Sequence, residues 1–250
     1  MSTQSPPTRF QLQAREYAFP YHYIPHHEEG GAIAVARTFG WALEYLTYLR
    51  WVCEVAERLR PRTLLDVGCG DGRLLSLLRD AVPERTGVDP VEVAVGFARA
   101  FNPDAAVVVG TAAEVPGTFD LVTCVETLEH IPDADLPAFV ASLAARVAEG
   151  GALVVTVPST ARPVHAKHHR HYTPALLVEQ LSAHFAAEEV CELFRVGLAT
   201  KLATRLLTNR LWTLNARAPR RWIWRWHRRR GFTAPPGAGA HVAGVFRRLR

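Results

Sequence analysis

Leu64-Leu65-Asp66-Val67-Gly68-Cys69-Gly70-Asp71-Gly72 drives an apolar run straight into a glycine-rich turn, and a helix-forming stretch begins at once. Glycine lets the backbone turn sharply and approach a ligand closely, where a side chain would stand in the way. A strand–turn–helix of this kind serves nucleotide-binding folds in general. Asp89 narrows the reading. It closes the next apolar run (86–88), about 20 residues downstream, where a carboxylate can accept hydrogen bonds from both hydroxyls of a ribose. G-x-G-x-x-G is absent, because Gly70 is followed by Asp71-Gly72-Arg73, which tells against a dinucleotide unit.

Outward from this motif, short β-branched apolar runs recur at 63–67, 86–88, 106–109, 119–125 and 152–157, then at 186–196 and 241–249. Helical patterns at 72–80, 90–101, 134–148 and 174–185 separate them. Strands and helices in alternation predict an α/β fold with a mostly parallel sheet covered on both faces. Ligands of such sheets bind at the carboxyl ends of the strands, near the switch in strand order. Ahead of the domain, apolar residues from Ile33 to Leu59 recur at spacings of three and four, which predicts a helix over 33–60 stopped by Pro61.

The segments LLDVGCGDG, GVDP, GTAAEVP, FDLVTCVETLEHIPD and GGALVVTVPS together resemble the class I S-adenosylmethionine-dependent methyltransferases, over about 62–190. The resemblance implies a Rossmann-like, mostly parallel seven-stranded sheet with an antiparallel last strand. It implies an S-adenosylmethionine site made by Asp66, Gly68, Cys69, Gly70, Asp89, Pro90, Thr111, Ala112, Cys124 and Val125. Asp66 would hold the methionine amino group and Asp89 the ribose. At the adenine position the family often has Asp-Ala, whereas this chain has Thr111-Ala112, so only a hydroxyl is available there.

After the fourth run comes Glu126-Thr127-Leu128-Glu129-His130. On a helical turn, positions i, i+3 and i+4 share a face, so Glu126, Glu129 and His130 are expected to converge. Two carboxylates and an imidazole can hold a divalent ion, or one can act as a general base on a hydroxyl. A loop rich in histidine, His165 to Tyr172, follows the next strand at the same edge and offers His168 as a further base or ligand. E-x-x-E-H here is similar both to the ubiquinone-biosynthesis O-methyltransferases and to the small-RNA 2′-O-methyltransferases. That likeness implies catalytic roles for Glu126, Glu129, His130 and His168, or a magnesium or manganese ion on the same four.

The remaining sequence bears on partners. The four cysteines form no C-x-x-C pair, which tells against a zinc or disulfide framework. The first residues lack a signal-peptide pattern, and no stretch has the ~18 apolar residues that a membrane span needs; a cytoplasmic protein is expected. Residues 1–192 hold 15 of the 29 cationic side chains and all 24 acidic ones, a net −9; residues 193–250 hold the other 14 and no acid. Such asymmetry points to an anionic partner. Within 204–232, Trp212, Trp222, Trp224 and Trp226 alternate with arginines, a pattern suited to an anionic membrane surface or, less well, to RNA. FPYHYIPHHEEGG (19–31), whose prolines and glycines break regular structure, is expected to be a lid carrying Tyr21, His22 and Tyr23.

The expected organisation is a tail, lid and helix (1–60), a methyltransferase core (61–196), a basic Trp/Arg-rich helical insertion (197–240) and a last core strand (241–250). The expected activity is O-methylation of a small, sugar or lipid-linked acceptor, at or near the inner membrane face. Two readings compete with it: a metal-dependent RNA ribose 2′-O-methyltransferase, and a non-catalytic, membrane-associated binding protein that keeps the fold.

Overall fold

In the computed structural model the described residues are 8–9, 11–12, 26–27, 33–34, 39–198, 200, 202, 206 and 217–249. They contain a short hairpin, β1 (His26–His27) with β2 (Ile33–Ala34), then helix α1 (Phe39–Leu59). The core runs β3 (Thr63–Val67), α2 (Arg73–Leu77), β4 (Glu84–Asp89), α3 (Glu92–Phe101), β5 (Ala106–Val109) and β6 (Phe119–Val125). It continues with α4 (Leu136–Arg146), β7 (Val147–Pro158), α5 (Pro174–Leu181) and β8 (Phe185–Arg195). Helix α6 (Arg217–Arg230), β9 (Thr233–Ala234) and β10 (Gly239–Arg248) complete it.

One sheet takes the order β5-β4-β3-β6-β7-β10-β8-β9. The chain steps outward from β3 to β5, then returns to lay β6 against the other side of β3. That reversal opens a crevice between β3 and β6 at their carboxyl ends, the position where such sheets bind ligands. β10 enters antiparallel between β7 and β8, with His241 opposite Pro158 and Leu193. Helices cover both faces. Leu49, Val52, Val55 and Ala56 of α1 pack with Leu74, Leu75, Leu78 and Val95 on one side. Val140 and Leu143 of α4 and Leu177 and Leu181 of α5 pack on the other. Four of the five β3 residues are buried, as a strand covered on both faces requires.

Some boundaries differ from the periodicity. Residues 33–34 hydrogen-bond across to 26–27 rather than joining the helix, so α1 starts at Phe39, and the expected irregular stretch 19–31 contributes a strand to that hairpin. At the other end of α1, Arg60 takes a left-handed φ of 51° and its N–H closes on the Ala56 carbonyl at 2.8 Å, just ahead of Pro61. Thr233–Ala234 pairs with Leu193 and Glu192, adding a two-residue eighth strand to the expected seven.

Helix α6 is bound to α1 by its inner side. The Thr47 hydroxyl donates to the Leu43 carbonyl at 2.7 Å, so the buried His227 ring donates from Nε2 to Thr47 Oγ1, at 2.8 Å. Arg228 pairs with Glu54 and lies over the Phe232 ring, 4.0 Å from its centroid. Burial, aided by Arg228, pushes His227 down to about 4. Its folded value lies below the ordinary histidine value, so its contribution to stability is full above pH ~6.5 and is lost as pH falls towards 4. The melting temperature therefore drops through that window, and calorimetric scans of His227→Gln should show a shallower acid slope than the parent.

Candidate functional site

A cavity of about 760 Å³ opens at the carboxyl ends of β3, β4, β6 and β7, roofed by α1 and by the loop after β7. Its first half is the glycine turn. Gly68 adopts φ 75°, and a Cβ there would lie 2.3 Å from Thr127 Oγ1, so neither the backbone nor the space admits a side chain. Asp89 holds the turn shut. Its Oδ2 accepts the Gly70 N–H at 2.9 Å and its Oδ1 the Val91 N–H at 2.8 Å. Burial raises Asp89 against these two bonds. Asp66 is also buried; it accepts a hydrogen bond from Thr123 at 2.7 Å, and burial pushes it up to about 7. Both carboxylates border the cavity with Cys69, Gly70, Pro90 and Val125.

Three residues assigned to the cofactor by resemblance do not line the cavity. Thr111 spends its hydroxyl and its N–H on Glu114 Oε2, at 2.9 and 2.8 Å, as the cap of a 3-10 turn. Neither Thr111 nor the buried Ala112 borders the cavity, and Cys124 lies wholly within the core beneath it.

The second half contains E-x-x-E-H, and here the expected convergence splits. Glu129, His130 and His168 offer ligand atoms all within 4.8 Å of one another. Glu129 is 1% exposed, its Oε2 has no hydrogen-bond partner, and burial followed by the nearby Glu126 raises its carboxyl well above the usual range. His168 bonds His171 at 2.9 Å; burial, with His130 and Lys167 beside it, pushes it down to about 3. The set is thus a buried carboxyl beside two imidazoles, which a divalent ion would complete. Two imidazoles with one carboxylate suit manganese, iron or zinc better than magnesium.

Glu126 stands apart from that group. It precedes the 3-10 turn (Leu128–His130) and takes a left-handed φ of 50°, so the helical i, i+3, i+4 relation does not apply to it. Its carboxylate instead accepts from Thr156 at 2.9 Å and from His241 Nδ1 at 3.1 Å. His241 Nε2 reaches Glu44 Oε1 at 3.0 Å, and Glu44 Oε2 meets Arg162 at 2.6 Å. Burial disfavours charge on His241, yet Glu126 and Glu44 outweigh it and raise the ring to about 10, so an imidazolium bridges two carboxylates. Glu44, Tyr48, Arg162 and His241 all border the cavity, and sequence reasoning did not select them. A faint signal existed: His241 is a lone ionisable residue in the apolar run HVAGVF. Tyr21, His22 and Tyr23 of the expected lid, and Trp212, lie outside the described residues.

The family model described as a methyltransferase domain matches residues 42–200. A ubiquinone biosynthesis O-methyltransferase of Bordetella avium is 38% identical over 111 residues, 41% of this chain and 45% of that protein. The matched stretch thus spans less than half the length of that curated relative. Among solved structures, the N-methyltransferase NodS of Bradyrhizobium japonicum with S-adenosylhomocysteine superposes with TM-score 0.60 at 14% identity, over 98% of this chain and 100% of that one. Magnesium protoporphyrin IX methyltransferase of Synechocystis with bound S-adenosylmethionine gives 0.54 at 16% identity, over 76% and 91%. At such identities the likeness is one of fold.

Proposed function

The chain belongs to the class I methyltransferase domain family, with S-adenosylmethionine as cofactor, and from that premise we propose that it methylates a hydroxyl of a small, sugar or lipid-linked acceptor. The supporting observation is one continuous cavity that takes in Asp66, Gly70 and Asp89 at one end and Glu126, Glu129, His130 and His241 at the other. The residues fit the cofactor. Gly68 leaves the backbone bare where any Cβ would collide with Thr127, and Asp66 and Asp89 present carboxylates to the ammonium and ribose hydroxyls. When bound, S-adenosylmethionine supplies an electrophilic methyl group.

The protein's own contribution is then positioning and proton handling. Glu126, held by His241 and Thr156, would accept the hydrogen bond of the acceptor hydroxyl and take up its proton, while the C–O bond forms at the expense of the donor's methyl–sulfur bond and leaves a neutral thioether. Trp41, Tyr45 and Tyr48 of α1 supply an aromatic wall for the acceptor, the first two stacked at 4.8 Å. Glu129, His130 and His168 would hold a divalent ion, which adds Lewis acidity toward the acceptor oxygen. The carboxylate at the acceptor end and the O-methyltransferase relatives favour oxygen over nitrogen as the methylated atom. No helix among the described residues is long and apolar enough to cross a membrane.

Incubating extract with the purified protein and isotope-labelled S-adenosylmethionine tests the reading. Label is expected in lipid, glycan or small-molecule fractions, as a base-stable ether. Label confined to RNA, or to amines, overturns it, and cofactor binding without any labelling favours a non-catalytic role. EDTA should slow the labelling at least ~10-fold, with manganese restoring it better than magnesium. Full activity in EDTA removes the metal from the proposal and leaves Glu126 in place.

A further inference from the structure

Helix α6 has two faces with different chemistry. Inward, Trp224 meets the Phe232 ring at 6.4 Å and His227 is bonded to Thr47. Outward, Trp222 is 66% and Trp226 36% exposed, while Arg221, Arg225 and Arg229 are exposed beside them. Trp222, Arg225, Trp226 and Arg229 follow at helical spacings of three and four, so indoles and guanidinium groups share one stripe. Among the described residues, Arg220, Arg221, Arg225, Arg229 and Arg230 meet no carboxylate at ion-pair distance, and Arg228 alone in this helix pairs, with Glu54. Leu198 and Leu202, earlier in the same acid-free region, are 86% and 60% exposed.

A helix fixed to its own core on one side has no internal use for two outward indoles. Such rings, with a hydrophobic body and a polar N–H, sit favourably at the headgroup level of a bilayer, and cations beside them are drawn to anionic lipid. We infer that the outer face of α6 docks on an anionic membrane surface, with Trp222 and Trp226 entering the headgroup layer and Arg221, Arg225 and Arg229 meeting lipid phosphates. Nucleic acid is the poorer occupant. Single strands are held in basic grooves with rings on which bases stack, whereas this is a single exposed helix face.

The docking face connects to the cavity through α1. Thr47 and Glu54 of that helix hold α6, while its Trp41, Glu44, Tyr45 and Tyr48 border the cavity. An enzyme seated in this way presents the acceptor half of its cavity one helix away from the bilayer, as a lipid-linked substrate requires.

Flotation of the full chain with vesicles decides the matter. Vesicles of phosphatidylcholine with about 30 mol% phosphatidylglycerol are expected to carry the protein upward at ~0.1 M salt, and pure phosphatidylcholine to leave it behind. Replacing Arg221, Arg225 and Arg229 together by Gln should lower the partition coefficient about a hundredfold. Trp222→Ser with Trp226→Ser should abolish flotation at the same lipid concentration. All five side chains are exposed, so affinity for S-adenosylhomocysteine, measured on the same samples, should stay unchanged in every variant. That second readout separates the two conclusions, because a parent chain that floats yet binds no S-adenosylhomocysteine would overturn the methyltransferase reading and leave the membrane inference standing. Equal flotation with both vesicle types, flotation untouched by the variants, or capture by single-stranded RNA with vesicles ignored would each overturn the inference.

Discussion

Alanine at position 89 lowers affinity for S-adenosylmethionine by about two orders of magnitude, read by titration calorimetry. Two losses combine. The ribose hydroxyls lose a charged acceptor, and such hydrogen bonds are worth ~1.5–3 kcal/mol each. The Gly70 and Val91 N–H groups lose the oxygens that hold the turn in shape. Part of the binding energy must then be spent on ordering the turn, so the loss exceeds that of a single contact. Asp89→Asn keeps only one acceptor oxygen, so one of the two backbone bonds is lost, and it should fall between the parent and Asp89→Ala. Glu92→Ala, an exposed carboxylate at the start of the next helix, serves as the control and should leave affinity unchanged. Unchanged affinity in Asp89→Ala would remove the ribose assignment.

The second large effect is on rate. Glu126→Gln should slow methyl transfer by about 10²–10⁴, the range over which a positioned general base contributes. Affinity for the cofactor should stay within about threefold, since Glu126 serves the acceptor end. The initial rate of label incorporation into the acceptor-bearing fraction provides the measurement. His241→Phe removes the donor that aims Glu126 and should cost about 10²-fold through misplacement alone. His241→Asn, whose amide can donate in place of Nδ1, should recover much of that loss. Equal damage by Phe and Asn would mean that His241 only fills space, and full activity in Glu126→Gln would remove it as the base.

The cofactor half of the site was readable because it is local. Asp66, Gly68 and Gly70 sit on one strand and its turn, and Asp89 ends the next strand in the sheet, so spacing along the chain translates directly into spacing in the fold. The sheet was readable for a related reason. Strands buried on both faces need unbroken β-branched runs, and those stand out between turn residues. Glu126 misled because the face-sharing rule holds only on a regular helix, whereas a left-handed residue turns its side chain toward His241. His241, in turn, could not be paired with Glu126 by any spacing. The two are 115 positions apart and meet only because β10 slots in between β7 and β8. Glu44 hides in a similar way, as one acidic residue among several on a long helix. Thr111 shows another local effect, where a capping box directs the hydroxyl hydrogen to Glu114, which no family pattern announces.

The late entry of β10 has a bearing on when this protein becomes active. A chain emerging in order can close the glycine turn and Asp89 as soon as β3 to β6 have formed. The Glu44–His241–Glu126 bridge has to wait until β10 has been threaded between two strands already made, a long-range closure that is slow relative to local pairing. The two halves of the site therefore ask different things of the chain: the glycine turn and Asp89 come from neighbouring strands, whereas the aimed carboxylate needs a strand from the far end of the sequence.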